Sequence, residues 1–133
     1  MQDARGIQFS PETVAAFRRC ASIYTWAGLF VPWVFILLAH AEWLLAWREL
    51  GQRPIAWQHD PTSIRSLDPL HIFTGLTLVA SIAALPLVLP LAFFSKESVA
   101  KGAIWMLVVG LAWVLALLYI FWDPLVVMEW WMD

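Results

Sequence analysis

Three ionisable side chains lie in apolar surroundings: His40 and Glu42 within one long apolar segment, and His71 near the start of another. A charge placed at the centre of a membrane helix costs a few kcal/mol, so such residues are where proton, metal or ligand chemistry is sought first. His40 and Glu42 stand ~200° apart around a helix, on nearly opposite faces, and cannot form one bidentate site. Glu42 precedes Trp47 by ~7 Å along a helix axis, from where its carboxylate can snorkel to headgroups. His40 can enter the bilayer neutral and hydrogen-bond a neighbouring helix. A bis-histidine haem would need His40 and His71 at one depth, but they fall ~10 Å and ~3 Å inside their segments. No catalytic residue, cofactor or metal is therefore expected. His71 with Asp68, and His59 with Asp60, fit a polar outer rim instead.

The elements that must position these groups follow from composition. Of 133 residues 62% are hydrophobic and 14% charged, displaced from soluble domains in the direction of a bilayer. A water-soluble fold of this size could not cover so much apolar side chain. The scattered lysines and arginines form no basic stripe, which excludes a nucleic-acid footprint. A single cysteine, Cys20, excludes a disulfide framework and a dithiol redox pair. Three stretches carry no formal charge, residues 20–41, 69–95 and 102–122. Each reaches the ~20 residues that a spanning helix needs, and hydrocarbon selects helices because the backbone must satisfy itself. The expected fold is all-α, one membrane domain over 1–133. It has spans at about 22–48, 69–94 and 101–122, an outer loop 49–68 and a C-terminal tail 123–133.

Shorter signals organise the rest. Residues 1–9 read as a frayed tail. Ser10-Pro11-Glu12 is a helix start, opening a short N-terminal amphipathic helix over 11–19 that lies at the interface or runs into the first span. In the outer loop, which holds Gly51, Pro54 and Trp57, Asp60-Pro61 and Asp68-Pro69 each fit a cap followed by a first helical position, with one short turn at 61–66. The tight turn 95–101 makes the last two spans an antiparallel hairpin.

Orientation follows from the basic residues. Arg5, Arg18, Arg19, Lys96 and Lys101 share one side against Arg48, Arg53 and Arg65 on the other, which favours a cytoplasmic N-terminus. Arg18-Arg19 followed by apolar sequence and Ala39-His40-Ala41 resembles a cleavable signal. Apolar sequence continues through Trp43–Trp47, however, so a retained span is expected.

Ten tryptophans suit a chain with two interfacial belts. Trp26, Trp33, His40 and Trp47 recur every seven residues, one slowly drifting face that could dock a helix of this chain or a partner. Thr74, Thr77, Ser81 and Ala84 form a small, polar stripe suited to close helix packing. Pro32, Pro86 and Pro90 should bend their spans. No nucleophile elbow, phosphate loop or zincin motif is present.

The loop sequence Leu50-Gly51-Gln52-Arg53-Pro54, with Asp60-Pro61-Thr62-Ser63-Ile64, resembles small bacterial multi-span membrane proteins of uncharacterised role. That resemblance implies the architecture and a bacterial inner-membrane setting, and no function. The reading is a non-enzymatic accessory subunit whose partners are the bilayer and other membrane subunits, docking through Trp-rich span one and the outer rim. The alternative is a small redox or proton-handling subunit using His40, Glu42 and His71. A homo-oligomeric pore ranks last, because no span carries a continuous polar face.

Overall fold

The computed structural model describes residues 10–56, 58–123 and 125–132. The expected frayed tail at 1–9 and the loop residue Trp57 lie outside the described residues. Among the described residues four α-helices follow one another: α1 (Pro11–Leu50), α2 (Asp68–Phe94), α3 (Val99–Trp122) and the short α4 (Val127–Met132). Among the described residues there is no strand, and α1, α2 and α3 are each long and apolar enough to cross a membrane. They run up, down and up. One end of the bundle therefore collects the 51–67 loop and α4, and the other collects the start of α1 and the α2–α3 turn.

Local chemistry sets the ends. The Ser10 hydroxyl accepts from the Thr13 N–H at 3.2 Å, and Pro11 fills a position whose N–H would have no partner. Gly51 closes α1 at φ 66°, a left-handed conformation that glycine adopts without steric cost. Asp60 caps a single 3₁₀ turn, Pro61–Ser63, and a second turn, Arg65–Leu67, leads into α2. Asp68 does not cap α2, as its Asp-Pro step suggests; it is the first helical residue, and its side chain makes no capping bond. Of the two placements expected for the helix at 11–19, the structure has the second: it runs straight into the first span. Nothing from Arg18 to Tyr24 breaks a helix, so those residues are the projecting first turns of α1, with Pro11 to Phe17 exposed.

The three long helices pack through small and hydroxyl residues. On α1 the buried seam runs Ala21, Thr25, Gly28, Pro32, Phe35, Ala39, Glu42 and Ala46, alternating steps of four and three. Such alternation keeps one face toward a partner helix. Thr74, Ser81 and Val88 on α2, and Gly102, Val109 and Ala116 on α3, repeat every seven residues. The expected α2 stripe is thus a packing face, with Thr74 and Ser81 buried and Thr77 and Ala84 half-buried. Outward faces are apolar: Ile23, Leu37, Leu107 and Phe121 are 70%, 69%, 68% and 85% exposed.

Each long helix with an internal proline continues through it. Pro32 has no N–H to give the Gly28 carbonyl one turn earlier. The indole N–H of Trp113 on α3 donates to that carbonyl at 3.1 Å. Gly28 lets the backbones close, since a Cβ there would run into Val88 on α2. One residue of α1 thus meets both other spans.

Candidate functional site

Glu42 is the fully buried carboxyl of the bundle, at 0% exposure on the α1 seam. Its placement follows from the helical period: three residues after Ala39 and four before Ala46, it faces the same way as both. The expectation that it snorkels to headgroups is overturned, because the seam turns it inward, where α2 and α4 close over it. Three donors converge on the carboxyl group. The Thr74 hydroxyl on α2 donates to Oε1 and lies within 2.9 Å of a second acceptor, the Leu70 carbonyl. His71 Nδ1, also on α2, lies 3.1 Å from Oε2. The indole N–H of Trp131 on α4 donates to the same oxygen at 3.1 Å. A carboxylate offers about four lone-pair directions, so three donors nearly fill it. Burying such a group without them would cost several kcal/mol.

Aromatic contacts fix the donors. The Trp131 ring lies 5.1 Å from the His71 ring on one side and 5.1 Å, edge-on, from Phe35 on the other. α4 is held in turn from outside. Asp123, at φ 37°, ends α3 and accepts from the N–H groups of Val127 at 2.8 Å and Glu129 at 2.7 Å. The indole N–H of buried Trp130 donates to the His59 carbonyl, and Arg53 donates to the Leu125 carbonyl at 2.9 Å. The short helix is a lid whose inner face, Val127, Met128 and Trp130, is fully buried.

The site opens to one side. His71 keeps a quarter of its side chain exposed while Glu42 has none, so the imidazole is the group between carboxyl and rim. Asp60 on the rim is held below the ordinary aspartate range, chiefly by the Thr62 hydroxyl and then by the Thr62 N–H, both at 2.7 Å. Burial opposes this slightly, and nearby His71 adds to it. Toward the bundle middle polar groups run out. A cavity of about 50 Å³ borders Pro32, Phe35, Leu78, Ser81 and Trp113, and its one hydroxyl, Ser81, donates to the Thr77 carbonyl at 2.7 Å. An apolar space of that kind stays dry.

His40 stands apart from this cluster. Its Nδ1 lies 2.7 Å from the Ile36 carbonyl, which only an N–H can satisfy, so Nε2 accepts from the Tyr119 hydroxyl on α3 at 2.8 Å. The expected divergence of His40 and Glu42 holds: one faces α3, the other α2 and α4. His71 bonds Glu42 rather than belonging with Asp68. His59 is held by its own loop, its Nδ1 accepting from the Ile55 N–H at 3.3 Å and its Nε2 3.2 Å from Gln52.

The Trp26, Trp33, His40 and Trp47 face lies one residue beyond the seam positions Thr25, Pro32, Ala39 and Ala46. Much of it is used within the chain. Trp26 meets the Trp105 ring of α3 at 4.7 Å, tilted by 55°, and Trp33 lines a groove with Leu115, Leu118, Tyr119 and Trp122. Trp47 packs edge-on against Trp43 at 5.0 Å and stays exposed.

Thr74, Tyr119 and Trp131 were not singled out as site residues from the sequence. Thr74 was visible in the polar stripe, and its spacing of three from His71 puts both on one face of α2. For Trp131 the available signal was a third Asp-Pro step, Asp123-Pro124, which marks a helix start within the presumed tail. Among the described residues no group of three or more His, Cys, Asp or Glu side chains could hold a metal ion. Compared with known proteins, the chain matches no family model, no curated protein and no solved structure.

Proposed function

We propose that this chain is an integral membrane subunit, without catalytic activity of its own, that binds a proton at Glu42 and couples it to the seating of α4. The observation that carries this reading is the pairing of a fully buried carboxyl with a partly exposed imidazole 3.1 Å away. A proton arriving from the rim meets His71 first and Glu42 second. Protonating Glu42 turns one acceptor oxygen into a donor. Delivered through His71, the proton lands on Oε2, which then donates back to Nδ1 and is a poorer acceptor for the Trp131 N–H, so the Trp131 tether of α4 is the bond that loosens. The dry cavity beyond supports binding from one side rather than conduction across the bundle. Redox work is not part of this reading, since His40 and His71 serve different helices.

The setting is a bacterial inner membrane with the N-terminus cytoplasmic, which puts the α4 end outside. This rests on the basic residues gathered at the α1 start and the α2–α3 turn. The test is infrared difference spectroscopy on reconstituted protein, stepping the pH. A protonated-carboxyl C=O band that disappears in Glu42→Gln is the expected result. No Glu42-dependent band at any pH at which the protein stays folded would overturn the reading.

A second reading, docking to a larger complex, draws support from the rim. Ile55, Leu125 and Val126 lie outside the long helices yet are 49%, 45% and 40% exposed. Gentle-detergent isolation that returns a stoichiometric membrane partner, lost when these three become serine, supports docking; isolation of this chain alone counts against it.

A further inference from the structure

The opposite end of the bundle carries a second polar site, independent of Glu42. Arg18, Arg19 and Ser22 on α1 face Ser95 and Glu97 in the α2–α3 turn across a cleft of about 370 Å³ that Ala15 also lines. Arg18 is half-buried, Arg19 is exposed, and Ser95 is 8% exposed with its hydroxyl committed to the Ala92 carbonyl at 2.9 Å. Among the described residues the one ion pair is Glu42 with His71, so neither guanidinium is matched by a carboxylate, and Glu97 is likewise unmatched. A guanidinium presents a planar fork of N–H donors that fits a phosphate's oxygens in pairs. Two such forks beside one cleft make a phosphate-sized anion site.

Depth says which phosphate. The two arginines directly precede the uncharged run that begins at Cys20. At the same end the Trp26 and Trp105 rings meet at 4.7 Å, tilted by 55°, and the Lys96 ammonium sits 4.6 Å over the Trp105 ring. Paired tryptophans with cations beside them mark the headgroup level of a bilayer. Glu97 adds selectivity. A carboxylate next to a phosphate site repels a bare anion, but it accepts from an ammonium or hydroxyl on the far side of a headgroup.

We infer that the cleft between the start of α1 and the α2–α3 turn binds one phospholipid headgroup of the hydrogen-bond-donating kind. Its phosphate lies between Arg18 and Arg19, and its ethanolamine ammonium or glycerol hydroxyls face Glu97.

The experiment is native mass spectrometry of the full chain released from bilayers of equal phosphatidylethanolamine, phosphatidylglycerol and phosphatidylcholine. One retained lipid per chain is expected, ethanolamine or glycerol in preference to choline, whose trimethylated nitrogen donates no hydrogen bond. Arg18→Gln with Arg19→Gln lowers retention roughly 30-fold, taking each interfacial cation at its usual worth. Glu97→Gln keeps retention and loses the discrimination against choline. Retention that is unchanged in the double arginine variant overturns the proposal. So does release of the lipid by excess inorganic phosphate, which would make this a site for a small free anion. Circular dichroism of each variant, matched to the parent, keeps a folding failure from counting as lost binding.

Discussion

Replacing Glu42 separates its two roles, holding α4 and holding a proton. In Glu42→Ala the three donors do not suffer equally. Thr74 keeps the Leu70 carbonyl at 2.9 Å, and His71, a quarter exposed, reaches water. Trp131, partly buried between Phe35 and His71, loses its one acceptor among the described residues. One orphaned buried N–H costs about 2 kcal/mol and the two rescued donors about 0.5 kcal/mol each, so about 3 kcal/mol is lost in all. The Trp131 share falls on α4 and raises its opening equilibrium roughly 30-fold. Glu42→Gln behaves differently. The amide oxygen can occupy the place of Oε2 and serve both His71 and Trp131. The amide nitrogen then faces the Thr74 hydroxyl, which turns its hydrogen to Leu70. Every contact survives, and the cost stays below about 1 kcal/mol. Hydrogen exchange of residues 127–132 at two pH values reads both effects. Measured as protection relative to the intrinsic amide rate at each pH, the parent should be less protected at the lower pH, Glu42→Ala weakly protected at both, and Glu42→Gln well protected at both. Slow, parent-like exchange in Glu42→Ala, or a pH response surviving in Glu42→Gln, refutes the coupling of this carboxyl to α4.

Other substitutions test the parts that hold the site. Trp113→Phe leaves the Gly28 carbonyl without its partner and should destabilise the bundle by about 1–3 kcal/mol. Adding Pro32→Ala restores the backbone N–H and should recover much of that loss, a non-additivity that a double-mutant cycle on thermal unfolding reads directly. Asp123→Ala removes the acceptor for two N–H groups of the lid. It should cost about 1 kcal/mol and speed exchange in α4 without altering α1 to α3. Asp60 contributes to the loop through its ionised form. Its pKa is depressed on folding, so the stabilisation is present above the ordinary aspartate pKa and is lost as pH falls through the lower, folded value. Limited proteolysis of the 51–67 loop should accelerate over that acidic window in the parent, whereas Asp60→Asn should be cleaved readily with little further change.

The apolar runs by themselves determined three helices long enough to span, because hydrocarbon leaves the backbone no other way to satisfy its polar groups. The Ser10 cap and the turn at Asp60-Pro61 were equally legible, each resting on bonds made within three residues. The heptad period of α1 was legible too, but its phase was not. Large aromatics at Trp26, Trp33 and Trp47 drew attention, while the buried seam runs through Thr25, Gly28, Pro32 and Ala39. In a helix apolar on every side no contrast marks the inner face, and small residues that let backbones approach are the better guide. Only the tertiary structure decided that Glu42 points inward, that Trp131 returns from the far end of the chain to bind it, and that His40 belongs to Tyr119 instead. Those pairings join residues 89 and 79 positions apart, and no local spacing encodes them. They exist because the seam sets the rotation of α1, and that rotation fixes which side of the helix each ionisable group must face.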